Sequence, residues 1–268
     1  MSERIGRYIT VNGIETYYEE SGTGQPIVCL AMAGASGSQY SHLLKTNGSD
    51  RFRYIAPDLP GRGKTLPDIH SLKPINDAEE YLEFIWSFVT ALGLKHPILL
   101  GTAMTATAVL MLANRHSGEV KAVIACNGGV VPKAANDPEY ISLLNHPAVN
   151  VSDFKECHIP GLCGPDIPRE NISTCIWYGA KTQVADTAVA DVKVFSRLTI
   201  EGELDHVTMP VLLLNGGADI TISRGARAKI EALPQCQSRT IPGAGHYMTM
   251  EKPEEVAKAV AQFVSSLE

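Results

Sequence analysis

Four short, almost wholly apolar runs, Tyr54–Ala56, Ile98–Leu100, Val120–Ala125 and Val211–Asn215, set the tightest limit on how this chain folds. A strand apolar in consecutive positions must be covered on both faces, which is the situation of a strand inside a parallel sheet flanked by helices. Helical stretches lie between these runs. Ala78–Leu92 carries Tyr81, Ile85, Phe88, Val89 and Leu92 at three-to-four spacing, and Thr105–Ala113 is small and apolar throughout. A last helix is announced by Pro253, with Glu254 and Glu255 at its positive dipole end and Val256, Val260, Phe263, Val264 and Leu267 on one side. Strands alternating with helices predict an α/β fold with a doubly wound, mostly parallel sheet. Ahead of them, Ile14–Glu19 and Ile27–Ala31 flank the turn-forming stretch SGTGQP and read as a hairpin-like start.

One region breaks the alternation. From about 130 to 206 the chain is rich in Asn, Pro, Asp and Gly, with helical fragments only around Pro138–Leu144 and Asp186–Leu198. The sheet pattern resumes on both sides of it. The expected organisation is therefore a single domain, 1–268, carrying a helical lid insertion at one end of the sheet.

Composition narrows the function classes. The chain has 44% hydrophobic and 19% charged residues and a formal net charge of −6, so it can bury a real core and lacks the basic run that nucleic-acid binding requires. Its N-terminus has no signal-peptide pattern, and no stretch approaches the ~18 apolar residues of a membrane span. A cytoplasmic protein without nucleic-acid or membrane partners is expected, as a monomer or a homodimer. The six cysteines are too sparse for a disulfide scaffold and are read as reduced. Cys157, His158 and Cys163 lack a second ligand pair at zinc-type spacing, so no metal is expected.

Several islands carry chemistry. MAGASGS, Met32–Ser38, is a glycine-containing turn after a buried strand, whose backbone N–H groups suit a developing oxyanion. GTAMT, Gly101–Thr105, joins strand to helix. Asp219 follows the Val211–Asn215 strand, and GAGH, Gly243–His246, precedes the last helices. DLPGRGKT, Asp58–Thr65, follows the Tyr54 strand, and ANRHSGEVKAVI leads from a helix into the next strand.

In this order the islands resemble the α/β-hydrolase superfamily over nearly the whole chain. That family places its nucleophile in G-x-S-x-G, on a strained strand-to-helix turn, with the triad in chain order nucleophile, acid, histidine. The resemblance implies Ala103 at the nucleophile position, Asp219 as acid and His246 as base. It further implies an oxyanion hole from the backbone N–H groups of Ala35 and Met104, and no cofactor. Three residues depart from the pattern. Ala33 stands where many relatives have the histidine of an HG pair. Thr105 replaces the second glycine of the elbow, where a β-branched residue should crowd the crossing. Ala103 matters most, because a methyl group cannot surrender a proton to His246 or attack a carbonyl.

Two explanations follow. Either the chain is an inactive Ser→Ala form of a triad hydrolase that still binds substrate, or the site is naturally without serine. The latter would serve lyase, decarboxylase, cyclase or C–C bond hydrolase chemistry through His246, or a non-catalytic small-ligand receptor. Retention of both Asp219 and His246 favours the first. Met32, Gly34, Asn127, Trp177, Tyr178 and Met248 are the expected substrate-binding residues; with Met104 and Met250 they suggest a small apolar or aromatic ester or lactone. His146 and His158 are further residues within reach of substrate, and Arg62 and Arg169 are the candidates to meet a single carboxylate.

Overall fold

A computed structural model describes residues 3–46, 51–66, 74–129, 138–180 and 185–267. Strands β1 (Ile5–Val11), β2 (Ile14–Ser21), β3 (Gln25–Leu30), β4 (Phe52–Pro57), β5 (Ile98–Thr102), β6 (Ala122–Cys126), β7 (Val211–Gly216) and β8 (Cys236–Ile241) form one sheet in the order β1-β2-β4-β3-β5-β6-β7-β8. From β4 to β8 every pairing is parallel, and only β1–β2 and β2–β4 are antiparallel.

The expected hairpin is corrected here. β2 and β3 do not pair, because β4 lies between them. The hairpin is β1–β2, turned at Asn12 and Gly13, which have φ of 49° and 83°. An Asn-Gly pair supplies the two positive φ values that a two-residue turn between twisted strands needs.

The helices are α1 (Ser41–Thr46), α2 (Ala78–Ala91), α3 (Met104–Arg115), α4 (Pro138–Leu144), α5 (Val151–Leu162), α6 (Arg169–Ala180), α7 (Ala185–Arg197), α8 (Arg224–Glu231), α9 (Met248–Glu251) and α10 (Pro253–Ser265). Side chains alternate across the sheet. Val28, Leu30, Ile55, Leu99, Val123, Leu213 and their neighbours meet α2 and α3, whereas Ile27, Cys29, Tyr54, Leu100, Ile124 and Leu214 meet α1 and α10. Burial of both faces is why the central strands read as unbroken apolar runs. The α2 start is capped by the Asp77 carboxylate, which accepts from the N–H groups of Glu79 and Glu80.

Helices α4 to α7 fall between β6 and β7, in the region expected to be inserted; residues 130–137 and 181–184 of that region lie outside those described. No helix among the described residues is long and apolar enough to cross a membrane.

Candidate active site

The turn from β5 to α3 is strained in the way the sequence implied. Ala103 adopts φ 55°, ψ −113°, a conformation that residues with a Cβ avoid and that costs about 1–3 kcal/mol. Neighbouring contacts hold it there. The Ala103 N–H donates to the carbonyl of Cys126 at 2.9 Å, and its own carbonyl accepts from Ala106 N–H at 3.1 Å. A Cβ on Gly101 would lie 2.2 Å from the carbonyl oxygen of Thr105, so glycine is required where strand and helix cross.

Thr105, expected to crowd this crossing, braces it instead. Its hydroxyl accepts from Thr102 N–H at 2.8 Å and donates to the Leu30 carbonyl at 2.8 Å. The same carbonyl accepts from Tyr40 Oη at 2.8 Å, and Tyr40 Oη also lies 2.8 Å from Thr102 Oγ1. The elbow is thereby tied to β3 by hydroxyl groups.

His246 stands opposite, on the loop between β8 and α9. Its Nδ1 lies 2.9 Å from Asp219 Oδ2, and the Asp219 side chain is fully buried. Thr221 Oγ1 donates to Asp219 Oδ1 at 2.7 Å and sits 2.9 Å from His246 Nδ1; Thr221 N–H donates to Oδ1 at 2.8 Å. A carboxylate that accepts at Nδ1 assigns the ring proton to that nitrogen and leaves Nε2 as the basic one. Burial raises the Asp219 pKa, but hydrogen bonds from His246 and Thr221 outweigh it and the net shift is downward. Asp219 is therefore an anion that orients the imidazole.

The histidine loop is held from three sides. His246 N–H donates to the Leu162 carbonyl at 2.8 Å. The buried Glu251 carboxylate accepts from Gly164, Gly245 and Tyr247 N–H groups at 2.8, 2.7 and 2.7 Å. Asn127, fully buried with φ 50°, donates to the carbonyls of Gly245 and His246 at 3.2 and 2.9 Å and accepts from Gly216 N–H at 2.8 Å. Asn127 was expected to touch substrate. All its amide atoms are instead committed to joining the ends of β6 and β7 to the histidine loop.

Ala103 and His246 line one cavity of about 680 Å³. Met32, Ala33 and Met104 lie on its sheet side, and Ile220 to Ser223 and Tyr247 edge it. The inserted helices supply Tyr140 and Leu144 from α4, Phe154, Lys155, His158, Ile159 and Leu162 from α5, Gly179 from α6, and Ala188, Asp191, Val192 and Phe195 from α7. Apolar walls with a few convergent polar groups are what a small-molecule site needs.

The oxyanion-hole expectation is corrected for Ala35. Met104 N–H, at the start of α3, has no hydrogen-bond partner among the described residues, and neither has Ala33 N–H. Ala35 N–H is spent on the Met32 carbonyl at 3.1 Å, and Ala35 is fully buried off the cavity wall. Gly34 N–H is also spent, donating to Asp191 Oδ2 at 2.8 Å. Ala33 and Met104, which line the cavity with Ala103, are thus the neighbouring residues whose N–H groups are uncommitted among the described residues.

Other expected substrate contacts divide. Met32 and His158 line the cavity. Met248 is fully buried in the core beside α10, while Trp177 and Tyr178 face a separate cleft with Gln39, His42 and Thr249. Successive residues of α6 point in different directions, so Gly179 rather than either aromatic reaches the cavity. His146 is exposed and absent from the wall, and Arg62 is buried in an ion pair with Asp191. Cys126 is fully buried, with its thiol pushed up to about 12 by desolvation. Sequence reasoning missed Thr221, Lys155, Tyr140, Phe154 and Phe195. Only Thr221 carried a usable signal, two residues beyond the acid.

The chain matches the alpha/beta hydrolase family across residues 27–259. It belongs to that family. It is 26% identical over 274 residues to 2-(acetamidomethylene)succinate hydrolase of Mesorhizobium japonicum, covering 98% of this chain and 96% of that one. It is 23% identical over 279 residues to the 2-hydroxy-6-oxo-6-(2'-aminophenyl)hexa-2,4-dienoic acid hydrolase of Metapseudomonas resinovorans, covering 98% and 92%. A thermophilic esterase from Thermogutta terrifontis superposes with a TM-score of 0.83 over 99% of both chains at 21% identity, a likeness of fold.

Proposed function

We propose that this is the site of a hydrolase for a small apolar or aromatic carboxylic ester or lactone, in a Ser→Ala form at Ala103 that retains substrate binding. One observation carries the reading. His246, oriented by Asp219, shares a cavity with a strained elbow whose only missing part is an oxygen. An oriented Nε2 lone pair, a turn that exposes one Cβ, and two unpartnered N–H groups from Ala33 and Met104 together perform acyl transfer once a hydroxyl stands at position 103.

The chemistry runs from these positions. A serine oxygen at 103 gives its proton to His246 Nε2 as it attacks the carbonyl carbon. Ala33 and Met104 N–H groups donate to the oxygen that becomes negative, and Asp219 stabilises the imidazolium. His246 then returns the proton to the leaving alcohol, and water repeats the sequence to free the acid. Without that hydroxyl, binding and the two donors remain, while covalent turnover stops.

The test is to introduce Ala103→Ser and follow aryl-ester hydrolysis. A large gain supports the reading. No gain in a correctly folded protein refutes it, and leaves His246 as a proton-transfer group for chemistry that needs no nucleophile.

A further inference from the structure

The two oxygens of the Asp219 carboxylate are used differently. Oδ2 lies 2.9 Å from His246 Nδ1. Oδ1 accepts twice from a single residue, from the N–H of Thr221 at 2.8 Å and from its hydroxyl at 2.7 Å. Each carboxylate oxygen has two lone pairs, so Thr221 fills Oδ1 and leaves Oδ2 for the ring. The Asp219 side chain is fully buried, and bulk water does not compete for these positions.

Thr221 Oγ1 also lies 2.9 Å from His246 Nδ1, and one placement of protons suits all three contacts. Were the hydroxyl proton directed at Nδ1, that nitrogen would be bare, and its lone pair would face the Oδ2 anion with no proton between them. With the hydroxyl donating to Oδ1, Nδ1 carries the ring proton and meets two acceptors, Oδ2 and Oγ1. The hydroxyl thus acts at both ends of the Asp219–His246 pair. Its position is well fixed, because a β-branched side chain is stiff at χ1 and the Thr221 N–H is anchored on the same carboxylate. Thr221 stands on the cavity wall that Ala103 and His246 share.

We propose that Thr221 is a positioning residue of this site: its hydroxyl holds Asp219 with Oδ2 toward the ring and keeps the His246 proton on Nδ1, so that Nε2 stays free to act as base. This rests on the hydrolase reading and adds a fourth side chain to it. A carboxylate held by a backbone N–H alone can still turn about its terminal bond, where rotation is broad and two-fold. The hydroxyl removes that freedom. It also keeps Oδ1 partnered while the ring passes between its neutral and charged forms, so the anion needs no rearrangement at the moment of proton transfer.

The experiment compares Thr221→Val, which keeps the shape and removes the hydroxyl, with Thr221→Ser, which keeps the hydroxyl. In the chain as it stands, the ¹⁵N shifts of the His246 ring, assigned by their loss in His246→Gln, report which nitrogen is protonated. In the Ala103→Ser background, nitrophenyl-ester kinetics report kcat and KM. Thr221→Val is expected to move both ring shifts toward the averaged values of exchanging tautomers and to lower kcat about tenfold or more, the size of a hydrogen bond to a charged group, with KM changed less than about twofold. Thr221→Ser should keep the parent shifts and most of kcat. A folded Thr221→Val whose ring shifts or kcat stay at the parent values overturns the proposal, even if its melting temperature falls, since the hydroxyl then only braces a turn. A loss of kcat that Thr221→Ser shares overturns it as well, because the methyl group is then what matters. If Ala103→Ser with Thr221 intact shows no turnover, the hydrolase reading fails, and the ring shifts alone decide whether Thr221 holds the proton. Should Thr221→Val fail to fold by circular dichroism, Thr221→Ala against Thr221→Ser reads the same two quantities.

Discussion

Replacing Ala103 by serine adds one oxygen to a carbon already held at φ 55°. The elbow strain is borne by alanine now, so the substitution adds none. The hydroxyl enters a cavity and not packed core, since Ala103 lies on the cavity wall, and stability should change by less than about 0.5 kcal/mol. Activity should change far more. In a triad hydrolase, loss of the nucleophile costs roughly 10⁶ in turnover, about 8 kcal/mol of barrier. What survives, about 10³ to 10⁴ over water, comes from the oxyanion donors and binding. Because Asp219 and His246 already pair at 2.9 Å and the Ala33 and Met104 N–H groups are uncommitted among the described residues, Ala103→Ser should recover most of that factor. The assay is release of nitrophenolate from short-chain nitrophenyl esters, with melting temperature recorded on the same sample. A folded variant whose rate rises less than about tenfold would refute the reasoning, because only a misplaced base or donor pair could hold it so low.

Three further substitutions test the supporting structure. In the Ala103→Ser background, Asp219→Asn should lower kcat by about 10⁴, since an amide no longer fixes the proton on Nδ1; steady-state kinetics reads this directly. The Asp219 pKa is lowered in the folded state, so its stabilisation is present above the unfolded value near 3.9 and is lost as pH falls through the lower folded value; Asp219→Asn should lower stability at neutral pH and flatten that acid limb of the unfolding curve. Glu251→Gln should cost about 1–3 kcal/mol, because an amide cannot accept from Gly164, Gly245 and Tyr247 together, and thermal denaturation would show it. Asn127→Ala strips partners from Gly216 N–H and from the carbonyls of Gly245 and His246; it should destabilise by a similar about 1–3 kcal/mol and reduce kcat of the Ala103→Ser protein more than it alters KM.

The buried middle of the fold was legible because parallel strands covered on both faces leave unbroken apolar runs. β8 was not, since CQSRTI is an edge strand with several exposed side chains and no such run. Helix α5 was hidden by Pro160 near its C-terminal end, and α6 by the weak apolar pattern of RENISTCIWYGA. At the site, motif order located Ala103, Asp219 and His246, whose placement is tied to sheet ends. Ala35 was misplaced because backbone hydrogen bonding, which decides between Ala33 and Ala35, leaves no trace in residue type. Trp177, Tyr178 and Met248 were inferred from composition near the sheet's carboxyl end, but which way a helical side chain points depends on how that helix packs.

The central claim is that Ala103, the His246 ring and the N–H groups of Ala33 and Met104 surround one reacting carbon. A crystal structure of the Ala103→Ser protein after treatment with an aryl phosphonate addresses it most directly. The account predicts a bond from the new serine oxygen to phosphorus, the phosphoryl oxygen accepting from Ala33 and Met104, and His246 Nε2 beside the adduct. An unmodified serine, or a phosphoryl oxygen directed away from both N–H groups, would contradict it.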